Sequence, residues 1–196
     1  MIERTGIVLA LVALLIGVAP TAYATSDVPK SKQTVLGKYK TAKEAYDEVT
    51  AQRGRVLFLD IRTTGEVMFV GGTAEVDAVI PFAEVKQPMA WDDKAGRFAF
   101  APNASFLATV DAVLNKKGLS KTDTVLLMCR SGDRSAKAVN ALAAAGYTNA
   151  WSVYDGFEGD LSKDGVRSVN GWKNAGLPWS YKLDKSKFVL DAASGK

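Results

Sequence analysis

Thr124-Val125-Leu126-Leu127-Met128-Cys129-Arg130-Ser131-Gly132-Asp133-Arg134-Ser135 is the stretch on which the reading of this chain turns. Its first half is an unbroken apolar run, and a run of that length without alternation reads as a strand buried on both faces of a parallel sheet. A short Gly-containing loop follows, and then an alanine-rich helical pattern over Ser135–Ala145, with Ala136, Val139, Leu142 and Ala143 inward and Gly146 as its stop. The loop opens on the only cysteine among 196 residues, so any thiol chemistry is placed here. Backbone N–H groups of a curled loop and of a helix N-terminus converge on an anion, and Arg130 and Arg134 add positive charge. Such surroundings favour a reactive thiolate.

Working outward, Val56-Leu57-Phe58-Leu59-Asp60-Ile61-Arg62 repeats the theme of a buried apolar strand ended by charge, and Ala150–Tyr154 supplies a third strand closed by Asp155-Gly156. Helical patterns separate them. Ala42, Ala45, Tyr46 and Val49 share one face of a helix over 40–52, and Phe106, Val110, Val113 and Leu114 form the stripe of a helix over 103–117 with Gly118 at its end. Residues 66–70 read as a short helix or a strand edge, and Val76–Pro81 as a further short strand. Strands alternating with helices predict an α/β fold with a mainly parallel central sheet flanked by helices, whose ligands bind beyond the carboxyl ends of the strands. Cys129 lies at such an end.

The remaining segments are less regular. Ile7–Val18 is nearly all apolar, short for a bilayer span, and followed by Ala22-Tyr23-Ala24, which predicts a signal peptide over 1–24, export to the periplasm and no stable membrane span after cleavage. Residues 25–39 read as an N-terminal arm, loosely packed in its Ser-, Pro- and Lys-rich first part, 40–182 as one domain, and 183–196 as a tail. The excursion over 87–102 is compatible with a wall loop, a β-hairpin or surface decoration, and a short helix is expected near 169–175.

A formal charge of +4 without an arginine or lysine stripe argues against nucleic acid as a partner. A single cysteine excludes an internal disulfide, and the absence of histidine excludes histidine-based triads and His-dependent metal sites. No metal site is visible.

The loop Cys129-Arg130-Ser131-Gly132-Asp133-Arg134-Ser135 resembles the active-site loop of the rhodanese-like sulfurtransferases, and Asp60-Ile61-Arg62 resembles that family's Asp-x-Arg motif. Gly146-Tyr147 through Phe157 resembles a further stretch of the family, and Gly72-Thr73-Ala74 stands where a Gly-His-Ile run is common. The resemblance implies a single rhodanese-like domain in which Cys129 takes a sulfane sulfur from a small anionic donor such as thiosulfate, carries it as a persulfide and passes it to a thiophilic acceptor. A sulfur transfer through a lone cysteine requires no cofactor. It further implies that Arg130, Ser131, Gly132, Asp133, Arg134 and Ser135 bind the donor and the persulfide, while Asp60 and Arg62 brace the sheet and loop. Two other readings stand beside it. One is a periplasmic sulfur-relay or protein-binding module that accepts sulfur from a dedicated protein, with Trp91, Trp172 and Trp179 as candidate docking residues and a periplasmic protein acceptor as partner. The other is a cysteine phosphatase or arsenate reductase, which would want five residues between cysteine and arginine where this chain has four.

Overall fold

The structure is a computed structural model and describes residues 28–189. The signal-peptide reading of 1–24 lies outside the described residues.

Five parallel strands form the central sheet in the order β1 (Tyr39–Lys40), β9 (Ala150–Val153), β8 (Thr124–Met128), β2 (Val56–Asp60), β3 (Ala78–Val79). Because β2 and β8 are buried on both sides, alternate residues feed two cores. Leu57, Leu59, Val125 and Leu127 face helices α3 (Phe106–Lys116) and α4 (Asp133–Ala144), packing on Val110, Leu114, Val139 and Leu142. Phe58, Leu126 and Met128 face α1 (Ala42–Gln52) and α2 (Thr64–Val70), together with Trp172. The fold is thus an α/β sandwich of helices around a parallel sheet, as the apolar runs predict. The register pairs Asp60 with Met128 and Met128 with Val153, so the chain leaves all three central strands at one edge. That edge is where Cys129, Arg62 and Asp155 gather.

Helix starts are set by local capping. Thr41 with Glu44 and Thr63 with Glu66 each form a reciprocal capping box, and the second one resolves residues 66–70 as helix. The excursion over 87–102 is antiparallel ribbon: its β7 (Phe100–Pro102) pairs with the preceding β4 (Ala83–Val85), and its β5 (Trp91–Asp92) pairs with β6 (Arg97–Phe98).

Three expectations are corrected. The arm does not pack loosely over 28–34: Val28 and Lys32 are buried, Lys32 Nζ lies 2.6 Å from Asp160, and the Val35 N–H donates to Asn140 on α4. The arm then enters the sheet as β1. No helix forms near 169–175, because the Trp172 and Lys173 N–H groups donate to Gly156 and Phe157 across the loop instead of to their own preceding turn. Trp172 is also no docking residue. It is fully buried, with its ring 5.5 Å from Phe58 and 5.7 Å from Tyr46, and its indole N–H donates to Pro178.

Candidate active site

The loop between β8 and α4 is tighter than the sequence suggests. Helix α4 begins at Asp133, two residues before the expected start, so only Arg130, Ser131 and Gly132 separate Cys129 from the helix. The reason is Gly132, whose φ of 99° turns the chain in a left-handed conformation directly onto the helix axis. There is no space for a side chain at that point, since a Cβ at 132 would overlap the carbonyl oxygen of Tyr154. A second glycine holds the other side. Gly156 has φ 66°, and a Cβ there would sit 2.6 Å from the Arg130 carbonyl.

Cys129 is 1% exposed. Its Sγ accepts the Gly132 N–H at 3.1 Å, and its own N–H donates to Ser135 Oγ at 2.9 Å, which ties the strand end to the first turn of α4. The Cys129 carbonyl accepts from Phe157 at 2.8 Å, and the Arg130 carbonyl from Glu158 at 2.9 Å. The loop is therefore pinned by its carbonyls from the segment after β9, and its sulfur faces an amide at the head of a helix. Ser131 is buried with its hydroxyl 3.5 Å from the Asp133 carboxylate, and Asp133 occupies the first helical turn, where a negative charge suits the dipole.

The two loop arginines differ. Arg134 is held in a bidentate pair with Glu66, at 2.7 and 2.6 Å, and its side chain is 15% exposed. Arg130 is 42% exposed, with its Nε 4.0 Å from the same carboxylate. Burial pushes the Glu66 carboxyl up, but the hydrogen bonds and charge of Arg134 and the Thr63 cap outweigh it and hold the pKa at about 2. Arg134 also stands 5.5 Å from the Phe100 ring.

Asp60 and Arg62 form a fully buried bidentate pair, with Arg62 Nε 3.0 Å and Nη2 2.6 Å from the carboxylate. Arg62 donates at 2.9 Å to the carbonyl of Gly71, where α2 ends, and its guanidinium lies 3.7 Å from the centre of the Phe157 ring. Phe157 is the residue whose N–H holds the Cys129 carbonyl, so the pair reaches the sulfur loop through one intermediary.

All seven predicted loop residues lie at this one strand edge, with Asp60 and Arg62 behind them. Sequence reasoning missed Glu66 and Asp155. The pattern Thr63-x-x-Glu66 signals a helix start, but nothing in it signals the pairing with an arginine 68 positions away. Asp155 is buried next to Gly156 and accepts the Ala42 N–H at 2.8 Å, capping α1 from a distance; burial is the main cause of its raised pKa, about 6. Among the described residues no three His, Cys, Asp or Glu side chains gather as a metal site would need. A cavity of about 210 Å³ between Gly72–Glu75 and Trp179–Phe188 reaches Asp60 but does not include Cys129.

The Glu66 pairing predicts an acid limb of stability. Its pKa falls from 4.5 unfolded to about 2 folded, so its contribution is complete above pH 4.5, declines below it and is lost as pH falls through about 2. Urea unfolding at pH 7 and pH 3 should show wild type losing more stability on acidification than Glu66→Gln, by on the order of 1–2 kcal/mol. Equal losses in the two proteins would exclude this linkage.

Residues 41–163 match the family model of the rhodanese-like domain. Among curated proteins, an uncharacterized protein of Rickettsia prowazekii (strain Madrid E) is 38% identical over 80 residues, which are 40% of this chain and 57% of that relative's length. A homolog of that protein in Rickettsia rickettsii is 30% identical over 138 residues, covering 70% of this chain and 93% of the relative. Among solved structures, Rv0390 from M. tuberculosis is similar with 30% identity and a TM-score of 0.55, over 74% of this chain and 97% of that one.

Proposed function

The chain belongs to the rhodanese-like domain family, and from that membership we propose that it is a sulfurtransferase in which Cys129 carries the sulfur. The observation that carries this reading is the Gly132 amide 3.1 Å from a buried Cys129 Sγ, in a loop of three residues that runs straight into α4. A cradle so small suits one added sulfur atom better than a tetrahedral oxyanion, and this weighs against phosphatase or arsenate chemistry.

With thiosulfate as donor, the Cys129 thiolate bonds the outer sulfur and the sulfur–sulfur bond of the donor breaks. Sulfite leaves with the electron pair, and the enzyme keeps a Cys129 persulfide of unchanged total charge. A thiophilic acceptor such as cyanide then takes the terminal sulfur and returns the thiolate. The loop amide and the head of α4 stabilise the persulfide anion. Arg130, more exposed than Arg134, is the loop residue placed to attract the donor. Arg134 serves through Glu66, fixing the first turn of α4 against α2.

Brief exposure of the purified protein to thiosulfate should add one sulfur to the peptide containing Cys129, as read by mass spectrometry. Cys129→Ser should show no adduct and no thiocyanate production from cyanide. Wild type that gains no sulfur from thiosulfate or from any organic persulfide would sink the proposal, whereas loading only from a protein partner would favour the relay reading.

A further inference from the structure

We propose that Arg97 is a specificity-determining residue of the Cys129 site, reading a second anionic group on a donor longer than thiosulfate, such as a carboxylate on the persulfide of a small acidic peptide thiol. The proposal rests on the sulfurtransferase reading above and assigns a residue that discriminates between donors.

The observation behind it is a shared ring. Phe100, on β7, has the Arg134 guanidinium 5.5 Å from its centre and the Arg97 guanidinium 4.2 Å from it. The two ribbons that carry these residues meet at Ala99, whose N–H donates to Ala90 at 2.8 Å and whose carbonyl accepts from Lys86 at 2.9 Å, and the ribbon bearing Phe100 is fastened beside the site. Glu84 on β4 accepts from the Thr64 N–H at 2.7 Å and its hydroxyl at 2.6 Å, at the head of α2, and Val85 pairs with Phe100 in register. Stacking on Phe100 therefore holds Arg97 on the side of the loop where Arg134 lies.

The charges around Arg97 leave it available. Arg134 is neutralised by its bidentate pair with Glu66. Arg97 is exposed and has no ion pair among the described residues. Asp92 is its register partner across the ribbon, but that carboxylate accepts the Ala95 N–H at 3.0 Å. Arg97 is thus without an ion pair among the described residues, whereas Arg134 is paired with Glu66 and the Nε of Arg130 lies 4.0 Å from the same carboxylate. Thiosulfate is too compact to occupy both the sulfur cradle and a cation that lies beyond Phe100; a donor with its anion several bonds from the sulfane sulfur can. The transfer itself balances without a further reactant. The Cys129 thiolate bonds the outer sulfur of R–S–SH, the donor's sulfur–sulfur bond breaks, and R–S leaves with the electron pair and takes the proton of the transferred sulfur, giving R–SH and the Cys129 persulfide anion.

The test compares loading of Cys129 from glutathione persulfide, which carries carboxylates, with loading from the persulfide of 2-mercaptoethanol, which does not, in wild type, Arg97→Gln and Arg97→Lys. For glutathione persulfide, Arg97→Gln should lower kcat/KM about tenfold through KM with kcat unchanged, the size expected for one exposed charge-assisted contact. Arg97→Lys should recover part of that, and the wild-type advantage should shrink in high salt. Loading from the 2-mercaptoethanol persulfide and from thiosulfate should be unchanged. An equal loss with all three donors, or no loss with glutathione persulfide, would overturn the role of Arg97 while leaving the sulfurtransferase reading intact. Failure of wild type to load from any of the three would remove both.

Discussion

Gly132→Ala should all but abolish sulfur loading of Cys129 and destabilise the protein by at least about 3 kcal/mol, because two penalties coincide at one backbone position. The first is conformational. A φ of 99° lies in the left-handed region, which costs an L-residue roughly 1–2 kcal/mol. The second is steric and larger. The added Cβ would overlap the Tyr154 carbonyl oxygen and lie 2.7 Å from its carbon, and neither atom is the free end of a side chain. Tyr154 directly follows β9, where the backbone N–H donates to Lys40 on β1, so relief must come from the loop itself. Moving the loop withdraws the Gly132 amide from Sγ, and loss of one such preorganised donor lowers a rate about 10²-fold or more. Gly146→Ala is the control. Its φ is 90°, but no atom lies within 4 Å of the new Cβ, so it should cost only about 1 kcal/mol and leave loading unchanged. Urea unfolding and persulfide mass spectrometry on both variants measure the two effects. Loading by Gly132→Ala at the wild-type rate would show that the amide does not matter to the sulfur.

The features legible in the sequence are those whose cause is local. Val56–Asp60 and Thr124–Met128 read as buried parallel strands because a strand covered on both faces has no polar side to show, and the structure pairs them residue for residue. Cys129 stands out because it is the only thiol and opens a short Gly-containing loop that runs into a helical pattern. What was hidden depends on partners distant in the chain. The early start of α4 needs the Tyr154 carbonyl to exclude a side chain at 132, and no window around Gly132 contains that information. Lys32, in a segment whose composition suggests a tether, is buried because Asp160 lies 2.6 Å away across 128 positions. The same holds for Glu66. Its capping role is written within four residues, whereas its hold on Arg134 exists only once α2 and α4 are packed at the same sheet edge.

Arg62→Met should cost roughly 3–5 kcal/mol, since it leaves the Asp60 carboxylate at 1% exposure without the guanidinium that compensates its burial. Replacing both residues, as in Asp60→Leu with Arg62→Met, should be less destructive than Arg62→Met alone by at least about 2 kcal/mol, because the double variant buries no unpaired charge. It should not return to wild-type stability. Arg62 also donates to the Gly71 carbonyl and covers the Phe157 ring, and methionine replaces only the second of these contacts. Function follows the same geometry. Phe157 donates to the Cys129 carbonyl at 2.8 Å, so a Phe157 ring freed from Arg62 loosens one of the anchors that hold the sulfur loop. Sulfur loading by Arg62→Met, assayed well below its unfolding midpoint, should therefore fall, and in the double variant it should stay below wild type despite the regained stability. Stabilities that simply add across the cycle would mean that the pair is not coupled, and full loading by the double variant would mean that Arg62 braces the sheet without reaching the loop.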